Sequence, residues 1–130
     1  MFLIIGVVLA ALAALLHVYI FVLESMRWTH PSTRRVFGVP SEADAQTMKA
    51  LAFNQGFYNL FLAVITAIGI IFALSGGAEI GITLMLAGTG TMLAAALVLV
   101  LSDASKLRAA AVQGTIPLLA VISLIIAASS

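Results

Sequence analysis

His17 and Glu24 stand seven residues apart, two helical turns, and so share one stripe of a helix. Both side chains can move protons. A histidine can accept one, donate a hydrogen bond to a substrate, or ligate a single metal or haem; a glutamate can act as general acid or base or hold a cation. Further along, Ala52-Phe-Asn-Gln-Gly-Phe-Tyr-Asn-Leu-Phe61 sets four polar side chains, Asn54, Gln55, Tyr58 and Asn59, into an otherwise oily segment. Amides do no acid–base work near neutral pH, but they orient a substrate, hold an oxyanion or tie helices together. The Tyr58 hydroxyl can protonate or hydrogen-bond a lipid-like substrate. Gln113, close to Gly114 and Pro117, is another polar group in an apolar run. Each feature also has a structural reading: a neutral His17 bonded to helix two, Glu24 paired with Arg27, Tyr58 as a core aromatic, and the amides as packing ties.

The composition explains why these groups stand out. The chain of 130 residues is 63% hydrophobic and 8% charged, with a net charge of +1. Its mean hydropathy of +1.22 is that of a membrane protein. Sparse basic residues flanking apolar runs make no footprint for nucleic acid. The absence of cysteine excludes disulfides, thiolate catalysis and Cys-ligated zinc, and two histidines give no His-rich metal site. No cofactor or metal is expected. Phosphate-binding glycine loops, HExxH, GxSxG and internal repeats are missing from the sequence.

The elements that must position the polar groups follow from length and punctuation. Four apolar spans are expected, at about Phe2–Leu23, Ala50–Leu74, Ile80–Leu101 and Leu107–Ala128. Each has the roughly 20 residues that a helix needs to cross about 30 Å of hydrocarbon. This predicts an all-α, four-helix transmembrane bundle, a single integral membrane domain over residues 1–130. The first span is read as a retained helix rather than a signal peptide, because no basic residue precedes Arg27.

Arg27, Arg34, Arg35 and Lys49 fall between spans one and two; Lys106 and Arg108 fall between spans three and four. The positive-inside rule then puts both loops in the cytoplasm and both termini outside, in the plasma (inner) membrane. The loop of about residues 25–49 is cytoplasmic on this reading. Trp28 is expected as an interfacial anchor, Pro31 and Pro40 as helix breakers, and Ser41 as the N-cap of a helix starting near Glu42. A kink is expected at Pro117. Gly77, Gly81, Gly88 and Gly90 offer close helix contacts within or between subunits, so a homo-oligomer is open.

Depth and face converge. Glu24, Asn54 to Asn59 and Gln113 all belong to the cytoplasmic part of the bundle, with His17 about 10 Å deeper than Glu24 at the helical rise. Gly6, Ala10 and Ala13 continue the His17 stripe, which points His17 into the bundle. Asn54 with Tyr58, and Gln55 with Asn59, make a polar wedge on helix two.

His17-Val-Tyr-Ile-Phe-Val-Leu-Glu24 followed by Trp28, then Asn54-Gln-Gly-Phe-Tyr-Asn59, then Gln113-Gly-x-x-Pro117, resembles a bacterial family of small integral membrane proteins that carries a domain-of-unknown-function name. The resemblance covers almost the whole chain. It implies four spans and a plasma-membrane location, and no established activity. A weaker likeness is to the MAPEG membrane enzymes, trimeric four-helix proteins that act on lipophilic substrates with glutathione. In this chain Asn59 stands where that group has an acidic residue, and its Arg-rich motif is missing from helix two.

The leading expectation is a cytoplasm-facing intramembrane pocket that binds, or binds and transforms, a lipophilic small molecule. His17 and Glu24 would be its acid–base pair; Asn54, Gln55, Tyr58, Asn59 and Gln113 would orient the ligand. The bilayer is the expected partner and nucleic acid is not. The alternatives are a small proton-coupled transporter with His17 and Glu24 as relay, and an accessory structural subunit of a membrane complex.

Overall fold

A computed structural model of the protein describes residues 1–129. Helix α1 (Phe2–Phe21) runs without interruption into a π-helical turn, Val22–Met26. A short helix α2 (Pro31–Phe37) follows, then the long α3 (Glu42–Leu74), α4 (Ala78–Ser102) and α5 (Leu107–Ala128), the last entered through a 3-10 turn at Ala104–Lys106. Four segments are long and apolar enough to cross a membrane: Phe2–Met26, Glu42–Leu74, Ala78–Ser102 and Ala104–Ala128. The chain is thus a multi-pass, all-α membrane bundle.

The four long helices close a square. α1 and α4 each pack against both α3 and α5, while α1 and α4 touch little across the diagonal. The interior is built mostly of small and polar residues, with Met85, Met92 and Leu124 fully buried among them, and the exterior of large apolar ones. Ala10, Ala13, Ala63, Ala120, Thr66 and Thr89 are buried, whereas Ile4, Leu15, Ile71, Val98 and Ile125 are exposed. This is the arrangement lipid favours: tails solvate the large side chains, and small residues let helix backbones approach. The buried hydroxyls bond back along their own helices, Thr66 Oγ1 to Leu62 O at 2.8 Å and Thr89 Oγ1 to Met85 O at 2.7 Å.

Glycines set the α3–α4 seam. A Cβ at Gly88 would collide with Thr66 Oγ1 and come within 3.2 Å of Leu62 O, whereas one at Gly90 would meet nothing within 4 Å. The Gly81 and Gly88 contacts are therefore spent inside the chain. Gly88→Val is expected to lower stability by about 1–3 kcal/mol, the usual range for overpacking. Gly90→Ala should leave it unchanged or raise it by up to about 1 kcal/mol through helix propensity. Unfolding in mixed micelles on titration with dodecyl sulfate measures both, and equal effects at the two positions would refute this account of the seam.

The basic loop is more ordered than its prolines suggest. Pro31 opens α2 rather than breaking a helix, because it sits in the first turn where no amide bond is lost. His30 Nδ1 accepts from the Ser32 amide at 3.3 Å, and Gly38, at φ 68°, ends the helix in the left-handed conformation. Ser41 caps α3 as expected, accepting from the Asp44 amide at 3.0 Å. Trp28 does not face headgroups. It is buried with Val39, Ala45 and Ala52, and its Nε1 donates to Ala45 O at 2.9 Å. That bond satisfies the indole N–H inside the protein and pins the loop onto α3.

Lys106 Nζ donates to Phe37 O at 3.3 Å, joining α2 to the α4–α5 turn. All six cations thus gather at one end of the bundle, called here the basic end. In that turn Asp103 accepts from the Ser105 amide at 2.9 Å and from Ser105 Oγ at 2.7 Å, which holds its carboxyl below the ordinary range. α5 continues through Pro117, which is buried among its neighbours.

Candidate functional site

The site is organised by the π-helical turn at the end of α1. Widening to an i→i+5 pattern, with Arg27 N donating to Val22 O at 3.1 Å, turns the chain so that Leu23 and Glu24 both face inward. Single π turns inside α-helices recur at functional sites because they re-aim side chains. Ser25, the next residue, donates to Phe53 O on α3 at 2.9 Å. Gly56 makes this approach possible. A Cβ there would strike the Ser25 side chain and lie 3.1 Å from the Ser25 amide nitrogen and 3.2 Å from Glu24 Cβ.

Once the π turn and α3 are this close, Asn59 Nδ2 reaches Glu24 Oε2 at 2.8 Å and also donates to Gln55 O at 3.2 Å. Glu24 is 8% exposed and Asn59 9%. Among the described residues Asn59 is the only hydrogen-bond partner of the Glu24 carboxylate, whose second oxygen has no protein donor and which no cation pairs.

Two grooves meet at Glu24, Trp28 and Asn54. One, of about 560 Å³, continues past Ser25, Thr29 and Lys49. The other, of about 460 Å³, continues past Leu51, Gln55 and Tyr58. Both run along residues 46–58 of α3, in its N-terminal half. α3 has 33 residues, about 50 Å at the helical rise against roughly 30 Å of hydrocarbon, and its first turns carry the charged Glu42, Asp44 and Lys49.

The structure separates the residues that the sequence grouped. His17 is buried at 2% exposure, as its stripe implies, but it bonds to its own helix, Nδ1 to Ala13 O at 2.9 Å. With a carbonyl as partner, Nδ1 is the donor, which leaves Nε2 of the neutral ring as acceptor. His17 makes no hydrogen bond to Glu24 and lines neither groove. Of the four polar residues on α3 only Asn59 is buried; Asn54, Gln55 and Tyr58 face outward and line the grooves. Gln113 is half-buried on α5 and lines neither.

The groove residues Ser25, Trp28 and Lys49 were not singled out as ligand contacts. The signal for Asn59 was present: Ala45, Ala52, Gly56, Asn59, Ala63 and Thr66 recur mostly three or four residues apart and form the buried stripe of α3. Among the described residues no three His, Asp or Glu side chains converge into a metal-ligand group.

A family model described as "Protein of unknown function (DUF1304)" matches residues 11–125, most of the chain. The chain belongs to the DUF1304 family. The matched region contains the whole constellation, from His17 through the Glu24–Asn59 pair to Gln113. No curated protein and no solved structure matches the chain. The DUF1304 fold seen here therefore supplies the geometry, and function has to be argued from the site.

Proposed function

We propose that this DUF1304 chain binds a lipophilic molecule in the lateral grooves at the basic end, with the molecule's polar head at Glu24 and its tail toward the bilayer. The observation that carries the reading is Glu24 itself: buried, its carboxylate held on one oxygen by Asn59, and its side chain among the residues lining both grooves. A carboxyl placed at the edge of hydrocarbon is costly unless it serves packing or a ligand. Its opening onto two grooves favours the ligand. Asn54 borders both grooves and suits a hydrogen-bonding role toward the head; Gln55 and Tyr58 border one. The six cations at this end support a cytoplasmic location for it, with both termini across the membrane.

Trp28, the one tryptophan, lines both grooves and reports on occupancy. In micelles of a neutral detergent, a bromine-labelled single-chain amphiphile is expected to quench its fluorescence saturably. Asn54→Phe, which fills the shared wall from an exposed position, should abolish the saturable part. Quenching that rises linearly and is the same in both proteins would mean partition into the micelle alone, and would end this reading.

A further inference from the structure

We propose that the ligand is a lipophilic cation, an amphiphile with an ammonium head that docks against Glu24, Trp28 and Tyr58. This rests on the groove reading above and specifies its chemistry. The groove of about 460 Å³ is lined by Glu24, the aromatic side chains of Trp28 and Tyr58, the amides of Asn54 and Gln55, and the apolar Met48, Leu51 and Ala52. No lysine or arginine lines it.

Ionisation of a carboxyl buried to this extent is favoured by a positive partner, and the protein supplies only the Asn59 amide. An anionic head would meet the carboxylate with no cation between them. A neutral head would do nothing to stabilise the ionised form. An ammonium supplies the missing charge, and the Trp28 and Tyr58 rings that line the same groove add attraction for it. Lys49 borders the neighbouring groove, which Glu24 also lines, and makes no ion pair with Glu24. Leu51 and Tyr58, at 71% and 66% exposure, point outward on α3, which gives an alkyl tail a lateral exit into lipid.

The test uses the full chain in dodecyl maltoside micelles, with Trp28 fluorescence as the local probe. Dodecyltrimethylammonium and dodecanol, equal in tail and different in charge, are titrated at constant ionic strength. The ammonium is expected to bind at least about tenfold tighter than the alcohol, the scale of a hydrogen-bonded or paired buried charge. Glu24→Gln keeps an acceptor for Asn59 and removes the charge. It should cut ammonium affinity about tenfold and leave the alcohol unchanged. Tyr58→Leu, at an exposed position that the fold does not depend on, should weaken the ammonium about three- to tenfold, and it carries the test should Glu24→Gln fail to fold.

Saturable binding of both ligands with equal affinity, insensitive to Glu24→Gln and Tyr58→Leu, would overturn the cationic head while leaving the groove reading intact. Absence of saturable binding by either ligand would overturn both.

Discussion

Gly56→Ala is expected to cost about 1–3 kcal/mol of stability, and Gly56→Leu more, because the added atoms enter the tight contact between the π turn and α3. The glycine Cα faces the Ser25 side chain and backbone with no room for a methyl group. The Ser25 side chain cannot rotate away freely, since its Oγ is bonded to Phe53 O. The Ser25 backbone nitrogen, 3.1 Å from the position of the new Cβ, cannot yield without moving the π turn. Moving that turn withdraws Glu24 from Asn59, so groove binding should fall together with stability. Ser25→Ala in the Gly56→Ala background removes the nearest atom and should recover part of the loss. Unfolding in mixed micelles measures the series. A Gly56→Ala protein as stable as the parent would show that α1 and α3 can separate at no cost, and the site would then not depend on this contact.

The second large effect concerns the buried pair. Asn59→Leu leaves the Glu24 carboxylate with no hydrogen-bond donor from the protein. The expected loss is about 1–3 kcal/mol on the scale of buried charged groups. Intramembrane hydrogen bonds measured by double-mutant cycles fall toward the lower end, below about 2 kcal/mol. Glu24→Met with Asn59→Leu removes both polar groups and should recover most of that loss, since a well-packed apolar pair is often as stable as a buried polar one. The comparison separates function from packing. If the double variant is stable and has lost saturable amphiphile binding, the pair exists for the ligand. If it is stable and binds as before, the pair is a tie between helices and Glu24 is not the docking point of the head, while groove binding itself stands.

Much of the architecture was legible before the fold. Four apolar runs of spanning length and the Ser41 cap are local properties, and they appear where the periodicity and capping rules put them. The buried face of α1 was readable too, because Gly6, Ala10, Ala13 and His17 mark one small-residue stripe. The polar cluster on α3 was harder. Adjacent residues on a helix point about 100° apart, so the cluster of Asn54, Gln55, Tyr58 and Asn59 cannot face one neighbour. Only Asn59 lies on the stripe that Gly56 and Ala63 define. Trp28 illustrates another limit. An indole after an apolar run suits the interface by composition, but whether its N–H meets water or a carbonyl depends on where the loop folds.

The sequence by itself determined the class of the molecule, the number of spans and the clustering of charge toward one end, because hydrophobic length and the placement of cations act locally along the chain. The tertiary structure decided the site. It bent the end of α1 into a π turn, used Gly56 to bring that turn against α3, paired Glu24 with Asn59 and left His17 to its own helix. Those outcomes depend on contacts between residues far apart in the chain and on a local change of helical pitch. Neither is encoded in the spacing of any single segment.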